Sequence, residues 1–453
     1  MNKLMQYGAL AVFVGSSMGV AHADPAETKG GIKIKTEDGR FEANINGRIH
    51  FDAYTFSPDD DAAFGSSGLN NRGGTAFRRE YLTLTGKLYG WEYKYEHDFA
   101  AEAGTAACTS TAVPAAGGTP TIACTLSNTG ASGNREMWVA TNVGPGKLTI
   151  GQFKPYRGME ELTSSNEITF AERPVTSASG IYNGRQYLMG VGYKGIIADQ
   201  FGYGFDVMQL GSSNITTEGL TYGGRGYWFP MSAEGQTVHV AVSYHIDSED
   251  VGSAAATPGF TYGGRRGQAI TFGNAGVGGC SNTAVVACGN QDTLAVELAA
   301  SFGPLTAQAE YAMATLEDAS GAAGDREDAD IDAYYAQLSW FITGEKKPYK
   351  KDRGAFGSPK PINTFGAWEA VARYESIESK DESDSNALCS VTGVSGAAAA
   401  DKCEVTQVTL GVNWYVNPGV RFMLNYYKAE ADLGGTAGKD KPDAFTLRTQ
   451  LSF

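Results

Sequence analysis

Residues 41–56 read FEANINGRIHFDAYTF. Phe41, Ala43, Ile45, Ile49, Phe51 and Ala53 share one parity. Glu42, Asn44, Asn46, Arg48, His50 and Asp52 share the other. Successive side chains of a strand point to opposite faces, so this is a strand with one apolar and one polar side. The pattern recurs along the chain. Leu82, Leu84 and Leu88 oppose Thr83, Thr85 and Lys87, while Trp91, Tyr93, Tyr95 and Phe99 oppose Glu92, Lys94, Glu96 and Asp98. In the last ten residues Phe445, Leu447, Leu451 and Phe453 oppose Thr446, Arg448, Gln450 and Ser452.

A soluble sandwich also alternates. Three features favour a membrane barrel. The segments run to about ten residues, the length a tilted spanning strand needs. Their apolar faces often end in Tyr, Trp or Phe, as interfacial girdles require. Connections alternate between short ones (Tyr89-Gly90, 144–146, Gly303-Pro304, 417–419) and long ones (103–134, 155–184, 249–290, 379–403). Short periplasmic turns and long outer loops mark outer-membrane barrels. Sixteen strands are expected, at 41–56, 77–89, 91–102, 135–143, 146–154, 185–197, 200–210, 220–230, 236–247, 291–302, 304–316, 330–343, 364–378, 404–416, 418–430 and 444–453. The expected fold is all-β: a 16-stranded antiparallel transmembrane barrel whose even strand count returns both termini to the periplasmic side. A barrel of this size encloses a water-filled lumen.

Composition agrees. The chain has 453 residues, 59 of them Gly, with 23 Tyr and 21 Phe. That aromatic content excludes a disordered chain. The net charge of −14 argues against a nucleic-acid partner. Met1–Ala23 has a basic Lys3, an apolar stretch and an Ala21-His22-Ala23 cleavage site, which together read as a secretory signal peptide. Residues 24–453 then form one barrel domain. Removal of residues 1–23 leaves 35 basic and 50 acidic residues. The cysteines fall as Cys108/Cys124, Cys280/Cys288 and Cys389/Cys403, each pair on an expected outer loop. Outside the cytoplasm they are expected to be disulfide staples. No C-x-x-C occurs and no histidine neighbours the pairs, so no metal site and no cofactor are expected. Nor does a G-x-S-x-G or another nucleophile motif accompany the strand histidines, so an enzyme is not expected.

Several stretches resemble the phosphate-selective porin family of the Gram-negative outer membrane, the O/P type. They are FRREYLTLTGKLYGWEYKYEHDF (77–99), IGQFKPYRGMEELTSSNEITFAER (150–173) and ITGEKKPYKKDRGAFGSPKPINTFGAWEAVARYES (342–376). The N-terminal GIKIKTEDGRFEANINGRIHFD is similar too. The resemblance implies a trimeric channel in outer-membrane lipid and lipopolysaccharide that passes small anions, phosphate above all, through a constriction made by an inward-folded third loop. Lys154 is followed by Pro155-Tyr156-Arg157-Gly158, where the family commonly carries a Phe-Ser in place of Arg-Gly. Loss of that serine and gain of a guanidinium could relax phosphate preference or move it to another anion.

Strand parity makes Arg48, Arg79, Lys87, Lys94, Arg373, Arg421 and Arg448 lumen-facing, while Lys154 and Arg157 lie on the third loop. A guanidinium offers a donor fork to phosphate oxygens, and a row of such groups would hand an anion along. Arg78 has the lipid parity and reaches the lumen only if a bulge shifts the register. The same parity gives Asp52, Glu92, Glu96, Asp98, Glu369 and Glu375, so on residues alone the wall is nearly balanced. A general, weakly selective diffusion porin is the alternative. The turn 345–360 carries Lys346, Lys347, Lys350, Lys351, Arg353 and Lys360. On residues alone it is a solvated turn; the resemblance implies a basic exit, with Lys33 and Lys35 beside it. The acidic runs 59–61 and 317–332 fall on outer loops, as solvated faces or as sites for divalent cations at the lipopolysaccharide surface.

Overall fold

The computed structural model describes residues 31–57, 72–100, 106–110, 122–126, 133–182, 186–210, 219–248, 258–272, 290–316, 329–380, 389–391, 403–433 and 439–453. The signal-peptide segment, Cys280, Cys288 and the acidic runs 59–61 and 317–328 lie outside the described residues.

Sixteen antiparallel strands form the wall. They are β1 Phe41–Ser57, β2 Arg72–Leu88, β3 Trp91–Asp98, β4 Gly133–Val143, β5 Gly146–Phe153 and β6 Leu188–Ile197. Then come β7 Phe201–Gln209, β8 Leu220–Ala233, β9 Gln236–Ser248, β10 Gln291–Phe302 and β11 Leu305–Leu316. The last are β12 Ala329–Phe341, β13 Ala367–Lys380, β14 Cys403–Asn417, β15 Val420–Asp432 and β16 Asp443–Ser452. Each strand pairs with its chain neighbours, and β1 pairs with β16 from Arg48↔Ser452 to Ser57↔Asp443. The sheet is therefore a closed barrel without edges. Bounds differ from expectation by a few residues. The largest differences are at β2, which begins five residues earlier, and at β3, which ends four residues earlier at Asp98.

The wall is apolar outside and polar inside. Leu82, Trp91, Val207, Leu298, Leu338, Trp368, Leu424 and Leu447 are exposed, whereas Asp52, Arg79, Glu96, Glu297, Glu369, Arg373 and Arg448 are buried. Lipid takes the place of a core on the outer side. The apolar core that does exist lies within the barrel. Val175, Ile181 and Tyr182 pack with Phe260, Tyr262, Ile270 and Phe272, and these meet inward-facing Ala295, Ala312, Ile331, Ile377 and Val405. The backbone amide of Gly259 donates to the Ser179 carbonyl at 2.7 Å, which joins the two inward segments.

Residues 154–182 cross the lumen and are pinned to far strands through backbone amides. Glu160 N–H donates to Glu310 on β11 (2.7 Å), Ala171 N–H to Asn425 on β15 (2.8 Å) and Val175 N–H to Glu375 on β13 (2.7 Å). A crossing segment has unpaired backbone donors, and wall carboxylates and an amide satisfy them.

The turn between β12 and β13 corrects an expectation. It is not a solvated periplasmic turn but folds up into the barrel. Lys347 is buried against Glu369 (2.7 Å), and Lys350 is ion-paired with Glu167 of the crossing segment. Tyr227 donates to the Lys351 carbonyl (2.8 Å) and Arg225 to that of Arg353 (2.6 Å). Lys346, Lys351 and Arg353 stay exposed on this turn, Arg353 at 3.9 Å from both Glu167 and Asp352, while Lys347 and Lys350 are matched by acids.

Candidate functional site: a cationic neck

Among the described residues, two cavities within the barrel meet end to end. The outer, of about 740 Å³, reaches Asn134, Arg135 and the inward segment Gly259–Gly264. The inner, of about 380 Å³, reaches Lys147, Lys194, Asp352 and Arg353 near the periplasmic turns. Four residues line both: Arg79, Arg173, Gln186 and Tyr187. They mark the neck of the pore.

Most cations of the wall are matched by carboxylates. Arg448 forms a bidentate pair with Asp52, 2.6 Å for each bond, and reaches Glu172 at 2.9 Å. Arg48 pairs with Glu96 (2.9 Å), and Lys94 with Glu96 and Glu136 (3.5 and 3.0 Å). Arg373 pairs with Glu375 (3.0 Å) and Arg225 with Glu297 (2.5 Å). Asp98 accepts from Arg135 (2.8 Å) and from the amides of Glu80 and Ala100. Asp98 and Arg448 line neither cavity and act as framework.

The neck differs. Arg79 is buried, and its hydrogen-bond partner is the ring of His50 at 3.4 Å; no carboxylate among the described residues is within ion-pair distance. Arg173 is held by two backbone carbonyls, Glu160 O (3.1 Å) and Thr163 O, again without an acidic partner among the described residues. Lys154 donates to the Glu161 carbonyl (2.5 Å), lies 3.7 Å from the Glu161 carboxylate and sits 5.4 Å from the Tyr187 ring centre. Gln186 donates to that same carboxylate at 3.1 Å. Burial pushes the Lys154 ammonium down to about 7, the Arg173 charge pushes the same way, and Glu161 opposes both.

Arg78 owes its place to a bulge. The pairing of β1 with β2 shifts between His50↔Arg79 and Phe51↔Phe77, so Arg78 is the extra residue. Such a bulge re-aims a side chain. Arg78 turns to Glu172 through two bonds of 2.9 and 3.1 Å. Burial alone would raise Glu172, but the Arg78 and Arg448 guanidiniums hold it far below the usual carboxylate range. Arg157 lies in the outer cavity with its guanidinium 5.0 Å from the Tyr182 ring centre, away from the neck.

The balance of sign is local. The outer cavity is lined by seven arginines and two acids, Glu161 and Glu172. The inner is lined by nine basic residues and four acids, Glu92, Glu96, Glu136 and Asp352. Sequence reasoning found Arg79, Lys94, Lys154 and Arg48 here. It missed Arg173, the last residue of the quoted loop, and placed Gln186 and Tyr187 on a strand that begins only at Leu188.

A closed sixteen-stranded barrel, apolar outside and narrowed by its own inward segment, is a porin of the outer membrane and a channel rather than an enzyme. The model of the phosphate-selective porin O and P family matches residues 43–453, and the chain belongs to that family. It is 29% identical to Porin O of Pseudomonas aeruginosa across 98% of this chain and 97% of that protein. In fold it is similar to the anion-selective porin of Comamonas acidovorans (11% identity, TM-score 0.53, 91% of this chain and 100% of that one). The outer-membrane channel DcaP of Acinetobacter baumannii is similar too (13%, 0.53, 92% and 99%).

Proposed function

We propose that this porin passes small oxyanions, phosphate foremost, and that the neck formed by Arg79, Arg173 and Lys154 selects them. The observation that carries this is that Arg79 and Arg173 are buried cations with no acidic partner among the described residues, in a lumen where most other cations are matched by carboxylates. A desolvated, uncancelled guanidinium favours an anion that brings its own acceptors. The excess of cations above and below the neck concentrates anions on both sides of it. The partly cancelled Lys154 lets the ion leave, because conduction needs binding weak enough to release. The direct test is block of chloride current by phosphate in a planar bilayer. Phosphate is expected to block, and Arg79→Ala to weaken the block; an unchanged block would remove Arg79 from the site.

The remaining assignments complete this reading. Residues 1–23 direct export and are cleaved, and the channel works as a homotrimer in lipid and lipopolysaccharide. The cysteine pairs staple outer loops. Cys108 and Cys124 are directly opposite each other in the hairpin of strands Ala106–Ser110 and Ile122–Leu126, which supports their pairing.

A further inference from the structure

A porin lumen is ordinarily polar. Part of this one is not. On the inner side of β6 and β7, Gly192 and Gly204 both lie against the Tyr156 side chain. A Cβ at Gly192 would be 2.8 Å from its ring, and one at Gly204 would be 2.7 Å from it. The glycines leave room for a buried apolar cluster of Phe153, Tyr156, Leu188 and Met208, of which Phe153 and Tyr156 line the inner cavity, and Trp138 packs on it while remaining half-buried. Trp138 and Tyr187, also half-buried, both line the inner cavity, as do Arg79, Lys154 and Arg173.

We propose that this inner vestibule binds organic anions bearing a flat ring, such as aryl phosphates and aryl carboxylates. The anionic group sits at the neck on Arg79 and Arg173, and the ring lies against Trp138 and Tyr187. The inference rests on the anion-channel reading and extends it to a substrate class. A cavity of about 380 Å³ is far larger than an inorganic phosphate and falls in the range of small-molecule sites. An inorganic oxyanion makes no use of an apolar face, whereas a ring beside indole and phenol gains both burial and offset stacking. Charge and apolar surface side by side match an amphipathic anion better than a bare one.

The test compares two phosphates of like charge. Phenyl phosphate and methyl phosphate are added to the periplasmic side of single channels in a planar bilayer, with inorganic phosphate as reference. Phenyl phosphate is expected to half-block the chloride current at about one tenth of the methyl phosphate concentration, roughly 1.4 kcal/mol of preference. Trp138→Ala should bring that ratio close to one, and Trp138→Phe should keep most of it. Equal potency of the two esters on the unaltered channel would overturn the inference, as would a ratio that Trp138→Ala leaves unchanged. Phosphate block together with equal ester potency strikes the aryl site alone. A cation-selective reversal potential without phosphate block strikes the anion-channel reading and this inference with it.

Discussion

At the scale of single residues, what sets this pore apart is which charges are left uncancelled. Arg448 and Arg79 have the same side chain and similar burial, yet Arg448 is locked to Asp52 while Arg79 faces the neck beside His50. Only the second lines the cavities. Hydrogen bonds to charged groups contribute about 1.5–3 kcal/mol, so Arg79→Ala or Arg173→Ala should raise the half-blocking phosphate concentration about tenfold or more. Arg448→Ala would instead damage the framework. Lys154 adds a pH dependence. Its ammonium is pushed down to about 7, so it is charged below that pH and neutral above it. Anion preference in a KCl gradient should therefore fall as pH rises from 6 to 8, and Lys154→Arg should abolish the change. Chloride is the right ion for this measurement because it does not titrate in that range. Parity in the sequence points Arg79 inward. It cannot say which of several inward arginines meets a carboxylate, because the partners lie on strands and loops distant in sequence, as Asp52 does from Arg448.

At the scale of elements, the crossing segment 154–182 is a strap held at its ends and middle. Its middle anchor is Glu172, shared by Arg78 and Arg448. Removing one partner of a buried ion pair leaves an uncompensated charge, at a cost of about 3–5 kcal/mol. Glu172→Gln should loosen the strap, and single-channel records should show flicker and raised conductance with anion preference retained. Steady current at unaltered conductance would deny the strap this anchor. The bulge that brings Arg78 to Glu172 could be suspected from sequence, because Arg78 and Arg79 are adjacent and strand parity admits only one of them to the lumen. The insertion of the β12–β13 turn was not legible. A run of lysines reads as solvated until Glu369 and Glu167 come into view across the lumen.

For the whole molecule, alternation fixes nearly everything: one parity meets lipid, the other meets water, and an even strand count closes the barrel. Sixteen segments were readable for that reason, with errors only where a strand ends, since fraying ends follow loop packing rather than periodicity. Closure has its own test. The β1–β16 seam carries the Asp52–Arg448 pair inside the barrel, so Asp52→Asn should lower the temperature at which the folded barrel unfolds in detergent. The net charge of −14 misleads on function because it sums over a surface, whereas in the proposed reading selectivity is set by the cationic excess in the two cavities. The reversal potential of the purified channel in a KCl gradient measures that local sign directly. The structure predicts a potential displaced towards that of chloride; displacement towards that of potassium would contradict it.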